Sequence, residues 1–276
     1  MNRTCPSTTG FHAALASTLL ALVLAGCASP STSPTLQART ELAPTGKFRV
    51  GIYHLNPVLV TKGAQTGDYE GTGIDIYREL AKRLGVPLVA VPFSDLGKMR
   101  ACVDMGECDA MFMASGSPME KDYLLSLPYL ESENSFLVAT GSTMRTVADV
   151  DHPGVRVAAY TGSSQHERLK AMLKHAEIRT TTRGSERVDW LRTGQVDAIA
   201  DAAPVLQALF MPQVSGSRIL DGGFSTAAYG LAIPRSRPEG AAFLNRSIEE
   251  MKRNGFIAES ISRWSLRAQV PGRREQ

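Results

Sequence analysis

The residues best suited to chemistry are Thr161-Gly162-Ser163-Ser164, set between a β-rich run and a helical run that opens at Ser164. Glycine lets the backbone turn its N–H groups outward, the hydroxyls add donors, and the positive end of the following helix points to the same spot. That combination suits a carboxylate. A Ser N-cap following a Gly turn uses the same letters, so both readings stand. Other reactive types are scattered. His12, His54, His152, His166 and His175 show no metal-ligand spacing, and no metal site is expected. His54 and His166 fall near loops expected to line a cleft, as general bases or as surface or ligand contacts. There is no Gly-x-Ser-x-Gly elbow and no Gly-Lys-Ser/Thr phosphate loop. Gly71-Thr72-Gly73 lacks a third glycine at Ile76 and does not follow a strand, which excludes dinucleotide binding. The expected chemistry is therefore binding, with no catalysis and no cofactor.

Short β-rich runs alternate with helical ones from Phe48 onward, the pattern of an α/β protein with largely parallel strands. Strands are expected at 48–52, 87–93 and 109–114, with helices at about 74–84 and 96–104. Ile74, Tyr77, Leu80, Ala81 and Leu84 mark the first helix by their spacing, and Gly85 stops it. The same grammar returns as strands at 155–160, 178–182 and 196–200 and helices at 164–174 and 185–193. One phrase recurs at the matching point of each block: Gly106-Glu-Cys-Asp109-Ala110 and Gly194-Gln-Val-Asp197-Ala198. Related halves and coincidence both fit so short a match. A further strand (228–233) and helices at 238–254 and 257–266 are too few for a third domain, so they are expected to complete the first half.

Residues 1–26 hold one basic residue, Arg3, no acidic one, and an apolar stretch from Ala13 to Ala25. That reads as an export signal, too short to span a bilayer. It ends in Leu24-Ala25-Gly26-Cys27, which resembles the lipobox of bacterial lipoproteins; the resemblance implies cleavage before Cys27 and acylation of its sulfur as a lipid anchor. Residues 27–46, rich in Ser, Thr, Pro and Ala, read as a flexible tether. The net charge of +3, without a long basic run, gives no electrostatic reason for a nucleic-acid partner. Cys102 and Cys108 would then lie in an oxidising compartment, late on one helix and just before the next strand. A disulfide and a pair of buried thiols both fit.

Taken in order, several pieces resemble the extracytoplasmic solute-binding proteins of family 3, the group that includes amino-acid receptors of ABC importers. They are Phe48-Arg-Val-Gly-Ile52, Gly73-Ile-Asp75-Ile-Tyr77, Gly106-x-x-Asp109, Pro128-Tyr129, Thr161-Gly162-Ser163-Ser164, Gly194-Gln-Val-Asp197-Ala198, Tyr229-Gly230 and Asn254-Gly255-Phe256 through Trp264. The resemblance implies a two-lobed, hinged fold of the periplasmic-binding-protein type II, each lobe a mostly parallel sheet flanked by helices. Lobe 1 would span 47–130 and 230–270, and lobe 2 would span 131–229. It also implies a monomeric periplasmic protein, held at a membrane by its lipid, that delivers a small polar solute to an ABC permease. A ligand sensor for a chemoreceptor or kinase, and a lyase like cyclohexadienyl dehydratase, are the alternatives on this fold.

By the same resemblance Tyr53, Asn56, Phe93 and Ser115 fall at strand ends facing the cleft, although core packing suits Tyr53 and Phe93 equally. The family's amino-acid receptors clamp the ligand carboxylate with an Arg after the third strand. Here that place falls on Met119 counting back from Pro128, or on Lys121 counting forward from Asp109, and neither has the bidentate fork. The acidic partner of the ligand amine falls on Ala202. Asp201, one residue short, reaches the cleft only if the loop slips; as a strand continuation it points to the opposite face.

Overall fold

The computed structural model describes residues 33–54, 56, 59–63, 67–264 and 270–271. The export signal, the first part of the tether and Cys27 lie outside the described residues. Twelve strands and eight helices follow: α1 (Leu36–Leu42), β1 (Phe48–Tyr53), β2 (Thr61–Lys62), β3 (Tyr69–Glu70), α2 (Thr72–Leu84), β4 (Leu88–Phe93), α3 (Leu96–Asp104), β5 (Ala110–Ala114), β6 (Tyr123–Leu125), β7 (Leu130–Val138), β8 (Arg156–Tyr160), α4 (Ser164–Met172), β9 (Glu177–Thr181), α5 (Gly184–Arg192), β10 (Ala198–Ala202), α6 (Ala203–Val205), β11 (Arg218–Ile219), β12 (Ser225–Pro234), α7 (Pro238–Arg253) and α8 (Phe256–Arg263).

The main sheet runs β4-β1-β5-β12-β7-β10-β8-β9, with β6 on β12 and β11 on β7, and it is built twice over. In one half β1 lies parallel between β4 and β5. In the other β8 lies parallel between β9 and β10. Two long antiparallel strands sit between the triplets. β7 pairs with β10, β12 pairs with β5, and the two pair with each other through Asn134↔Ser225 to Leu130↔Tyr229. The chain thus passes from the first half to the second along β7 and returns along β12.

The repeated phrase has a physical reason. Asp109 accepts the backbone N–H of Arg49 at 2.9 Å, its Nε at 3.0 Å and its Nη2 at 2.7 Å, while Nη2 also reaches the Gly106 carbonyl. Asp197 takes the same three donors from Arg156 at 2.8, 3.0 and 2.9 Å, with Nη2 on the Gly194 carbonyl. Each Gly closes a helix at positive φ, and each Asp then staples the next strand to the first strand of its half. Three shared letters in a five-residue phrase, Gly, Asp and Ala, therefore mark one shared joint, at the strand ends away from Tyr53 and Tyr160.

Helices cover the sheet so that its inner parallel strands β1, β5, β8 and β10 are mostly buried. Along β8 and β10, Val157, Ala159, Ala198 and Ala200 enter one cluster with Phe136, Leu169 and Phe224, while Ala158 and Ile199 face the larger cluster shared with the first half. α2 buries the periodic residues read from its sequence and ends at Gly85. At its start Gly71 lies at φ 125°, where a Cβ would stand 2.6 Å from the Leu59 carbonyl oxygen, so no other residue fits.

The tether expectation needs a correction. Residues 36–42 form α1, capped by Thr35, with Ala38 and Leu42 fully buried and α1 packed on α7. Glu41 accepts the Gly240 N–H at 2.7 Å. Two apolar residues four apart are too few to show a period, and tertiary contact supplies what propensity does not. The structure joins Cys102 and Cys108 in a disulfide, Cα to Cα 5.1 Å, between the end of α3 and the start of β5.

Candidate functional site

Between the halves lies a cleft continuous with solvent. Tyr53 and Asn56 enter it from the end of β1, Met119 from the turn after β5, Gly162, Ser163 and Ser164 from the start of α4, and Asp201 from β10. Their convergence follows from topology, since all stand at or beyond the carboxyl ends of parallel strands. The wall from the first half is largely apolar, with Leu96, Met99, Phe112, Met113 and Met119. The wall from the second half is polar, with Ser163, Ser164, Gln165, Arg187 and Asp201.

Four expected residues do not line the cleft. Phe93 packs against the core, because the ring of a strand-end residue over a small Gly51 has dry space beneath it. Ser115 is tied by its N–H to the Ala228 carbonyl at 2.8 Å, and Thr161 is exposed with its N–H on Thr181. Lys121 is exposed on the short turn Pro118–Asp122, where its carbonyl accepts from Arg235. Counting back from Pro128 thus finds the cleft position, Met119, and counting forward from Asp109 does not. β10 starts and ends two residues later than its sequence suggests. Asp201 consequently faces the cleft from within the strand while Ala202 is buried, the reverse of the expected facing.

The Thr161–Ser164 turn forms the Ser cap of α4, and Gly162, Ser163 and Ser164 also line the cleft. Ser163 Oγ accepts the His166 N–H at 3.1 Å as the cap of α4, and the Gly162 N–H donates to His166 Nδ1 at 3.3 Å. Burial, and then the charge of Lys170, hold the His166 imidazole below its ordinary value, which keeps Nδ1 free to accept. Behind this turn Gln165 donates to Asn134 at 3.0 Å and Asn134 to Ser225 at 2.9 Å, linking the cleft wall to both crossing strands.

Sequence reasoning missed Arg187. It is 4% exposed, its Nη1 donates to Asp201 Oδ2 at 2.8 Å and to the Ala200 carbonyl at 3.3 Å, and its Nε is buried with no partner among the described residues. The guanidinium lies 4.8 Å from the Phe210 ring centre and 5.7 Å from that of Tyr160. One signal existed: Arg187 precedes Val188 and stands four before Leu191, on the buried face of α5. Tyr160 was missed too. Its ring meets Tyr53 edge-on across the cleft at 6.4 Å. Burial raises the pKa of both phenols, so they act as neutral donors. A second cavity shares Tyr53, Asn56, Arg187 and Asp201 with the first and continues to Gly184, Ser185, Leu209, Phe210 and Gln213. Among the described residues no group of three or more His, Cys, Asp or Glu could hold a metal ion, and no helix is long and apolar enough to cross a membrane.

A model of the bacterial extracellular solute-binding proteins, family 3, matches residues 48–267. The chain is 26% identical to the L-cystine-binding protein TcyJ of Escherichia coli (strain K12) over 225 residues, covering 79% of this chain and 82% of the other. It is 27% identical to the glutamine-binding protein of Geobacillus stearothermophilus over 236 residues, covering 79% and 89%. A cyclohexadienyl dehydratase of Pseudomonas aeruginosa is 30% identical over 141 residues, 50% of this chain and 49% of the other. Among solved structures, an ancestral arginine-binding protein bound to arginine superposes with a TM-score of 0.69 at 26% identity, covering 79% of this chain and 98% of that one.

Proposed function

Because the chain belongs to the bacterial extracellular solute-binding proteins, family 3, we propose that it captures an amino acid or a close relative of one between its two halves and hands it to an ABC importer. The observation that carries this reading is a solvent-connected cleft walled by polar groups from one half and apolar groups from the other, with one cation and one anion among its lining residues. Such a cleft desolvates and satisfies a small guest fully only when both walls touch it, so the guest favours the closed arrangement. We assign 47–130 with 230–270 to one lobe and 131–229 to the other, closing about β7 and β12. The mature protein would be a monomer of the periplasm, held to a membrane through acylated Cys27 after removal of residues 1–26 as a signal peptide.

Relatives similar along most of the chain carry the names of binding proteins, whereas the dehydratase is similar along half of it. Binding without turnover is therefore favoured over the lyase alternative. A sensor role would use the same cleft with a chemoreceptor or kinase as the docking partner.

The test is a thermal-shift screen of the purified protein lacking residues 1–26 against L-amino acids, polyamines and small carboxylates. A true ligand at about 100 times its Kd adds roughly 2.7 kcal/mol, a rise of about 5–10 °C for a chain of this size. If none of these solutes raises the melting point, the proposal fails.

A further inference from the structure

Three arginines that meet an Asp near the strand ends, Arg49, Arg156 and Arg187, do so in two ways. Arg49 and Arg156 each use the side-on fork of Nε and Nη2, which matches both oxygens of Asp109 and Asp197. Arg187 does not. Both of its hydrogen bonds leave from Nη1, toward Asp201 and the Ala200 carbonyl, and its Nε is buried without a partner among the described residues. A guanidinium 4% exposed, pressed between Phe210 and Tyr160, would ordinarily satisfy that edge within the protein. Arg187 borders a cavity on the Gly184 side. Nη2 stands 4.0 Å from where a Cβ on Gly184 would lie, and Gly184, Ser185 and Arg187 line the second cavity together. That cavity joins the main cleft at Tyr53, Asn56, Arg187 and Asp201.

Resting on the proposed solute-binding function, we infer that the Nε/Nη2 fork of Arg187 is the carboxylate clamp of this protein and that Asp201 receives the ammonium group of the same solute. Both charges of a zwitterion are then held by one half. Met119 and its apolar neighbours on the opposite wall contact the side chain instead of the carboxylate. The ion pair between Arg187 and Asp201 positions the clamp before the solute arrives: the aromatic sandwich and the Nη1 bonds fix the plane of the guanidinium, so little rotamer freedom is lost on binding.

The experiment uses isothermal titration calorimetry on the mature protein. The tightest binder among the twenty L-amino acids and L-cystine is compared with its own α-carboxamide, then with both probes on Arg187→Lys. A charge-assisted bidentate contact predicts that the wild-type protein prefers the acid by about 10- to 100-fold. Lysine keeps a cation for Asp201 but lacks the fork, so R187K loses this preference, its affinity for the acid falling about 10- to 100-fold further than its affinity for the carboxamide. A merely structural arginine would weaken acid and carboxamide alike, leaving the ratio unchanged, and that result overturns the inference. So does a wild-type protein that binds both probes equally, a comparison that needs no variant to fold. If no amino acid binds the wild-type protein at all, the solute-binding proposal itself falls, which separates the two failures.

Discussion

Asp109 and Asp197 make the same three bonds to Arg49 and Arg156, within 0.2 Å of each other, yet Asp109 is 0% exposed and Asp197 is 35% exposed. Replacing each by alanine therefore isolates the effect of burial on one geometry. Without Asp109, the Arg49 side chain keeps only its Gly106 bond, and Arg237, 3.8 Å from the lost carboxylate, keeps only its bond to the residue 109 carbonyl. Breaking a buried pair in this way costs about 3–5 kcal/mol. Asp197→Ala loses a solvent-screened pair, up to about 1 kcal/mol, and one backbone hydrogen bond, about another 1. The expected gap of about 1–4 kcal/mol corresponds to Asp109→Ala melting roughly 2–16 °C below Asp197→Ala. Urea titration and calorimetry of both ligand-free variants at neutral pH measure it. Equal losses would refute the reasoning, because geometry and not burial would then set the cost.

Removing the disulfide by the double change Cys102→Ser and Cys108→Ser opens a loop of sequence separation 6. It should lower the unfolding free energy by about 2 kcal/mol; an unchanged urea midpoint would contradict this. His166 sets a pH dependence. Its folded pKa lies below the ordinary 6.5, so the unfolded chain takes up the proton first as pH falls. The stability it contributes is present above about pH 6.5 and is lost as pH drops toward the lower folded value. His166→Ala should flatten the stability curve in that window, and a slope identical to wild type would rule the assignment out.

The alternation of strands and helices was legible because apolar period and closing glycines agreed in α2, α3, α5 and α7. β7 was not, since Glu131, Glu133 and Asn134 interrupt its apolar run, and a crossing strand that pairs on both edges tolerates polar side chains where they find partners. Asn134 finds them in Gln165 and Ser225, which lie far away in sequence. The cleft was legible where a turn declared itself, at Gly162–Ser164, and where strand ends could be counted, at Tyr53, Asn56 and Met119. Arg187 was hidden for a different reason. An arginine on a nine-residue helix ordinarily reads as a solvated face, and what buries it here is a carboxylate fourteen residues later together with two rings from other elements.

The twin staples of Arg49 to Asp109 and Arg156 to Asp197 hold each set of parallel strands at the margin opposite the opening. The two halves thus match where they are fastened and differ where they meet the guest: the wall around Phe112 is oily, and the one around Arg187 is charged. Substitutions at the mouth can retune what the protein recognises without loosening either fastening, so a scaffold of this design can change its cargo while keeping its shape.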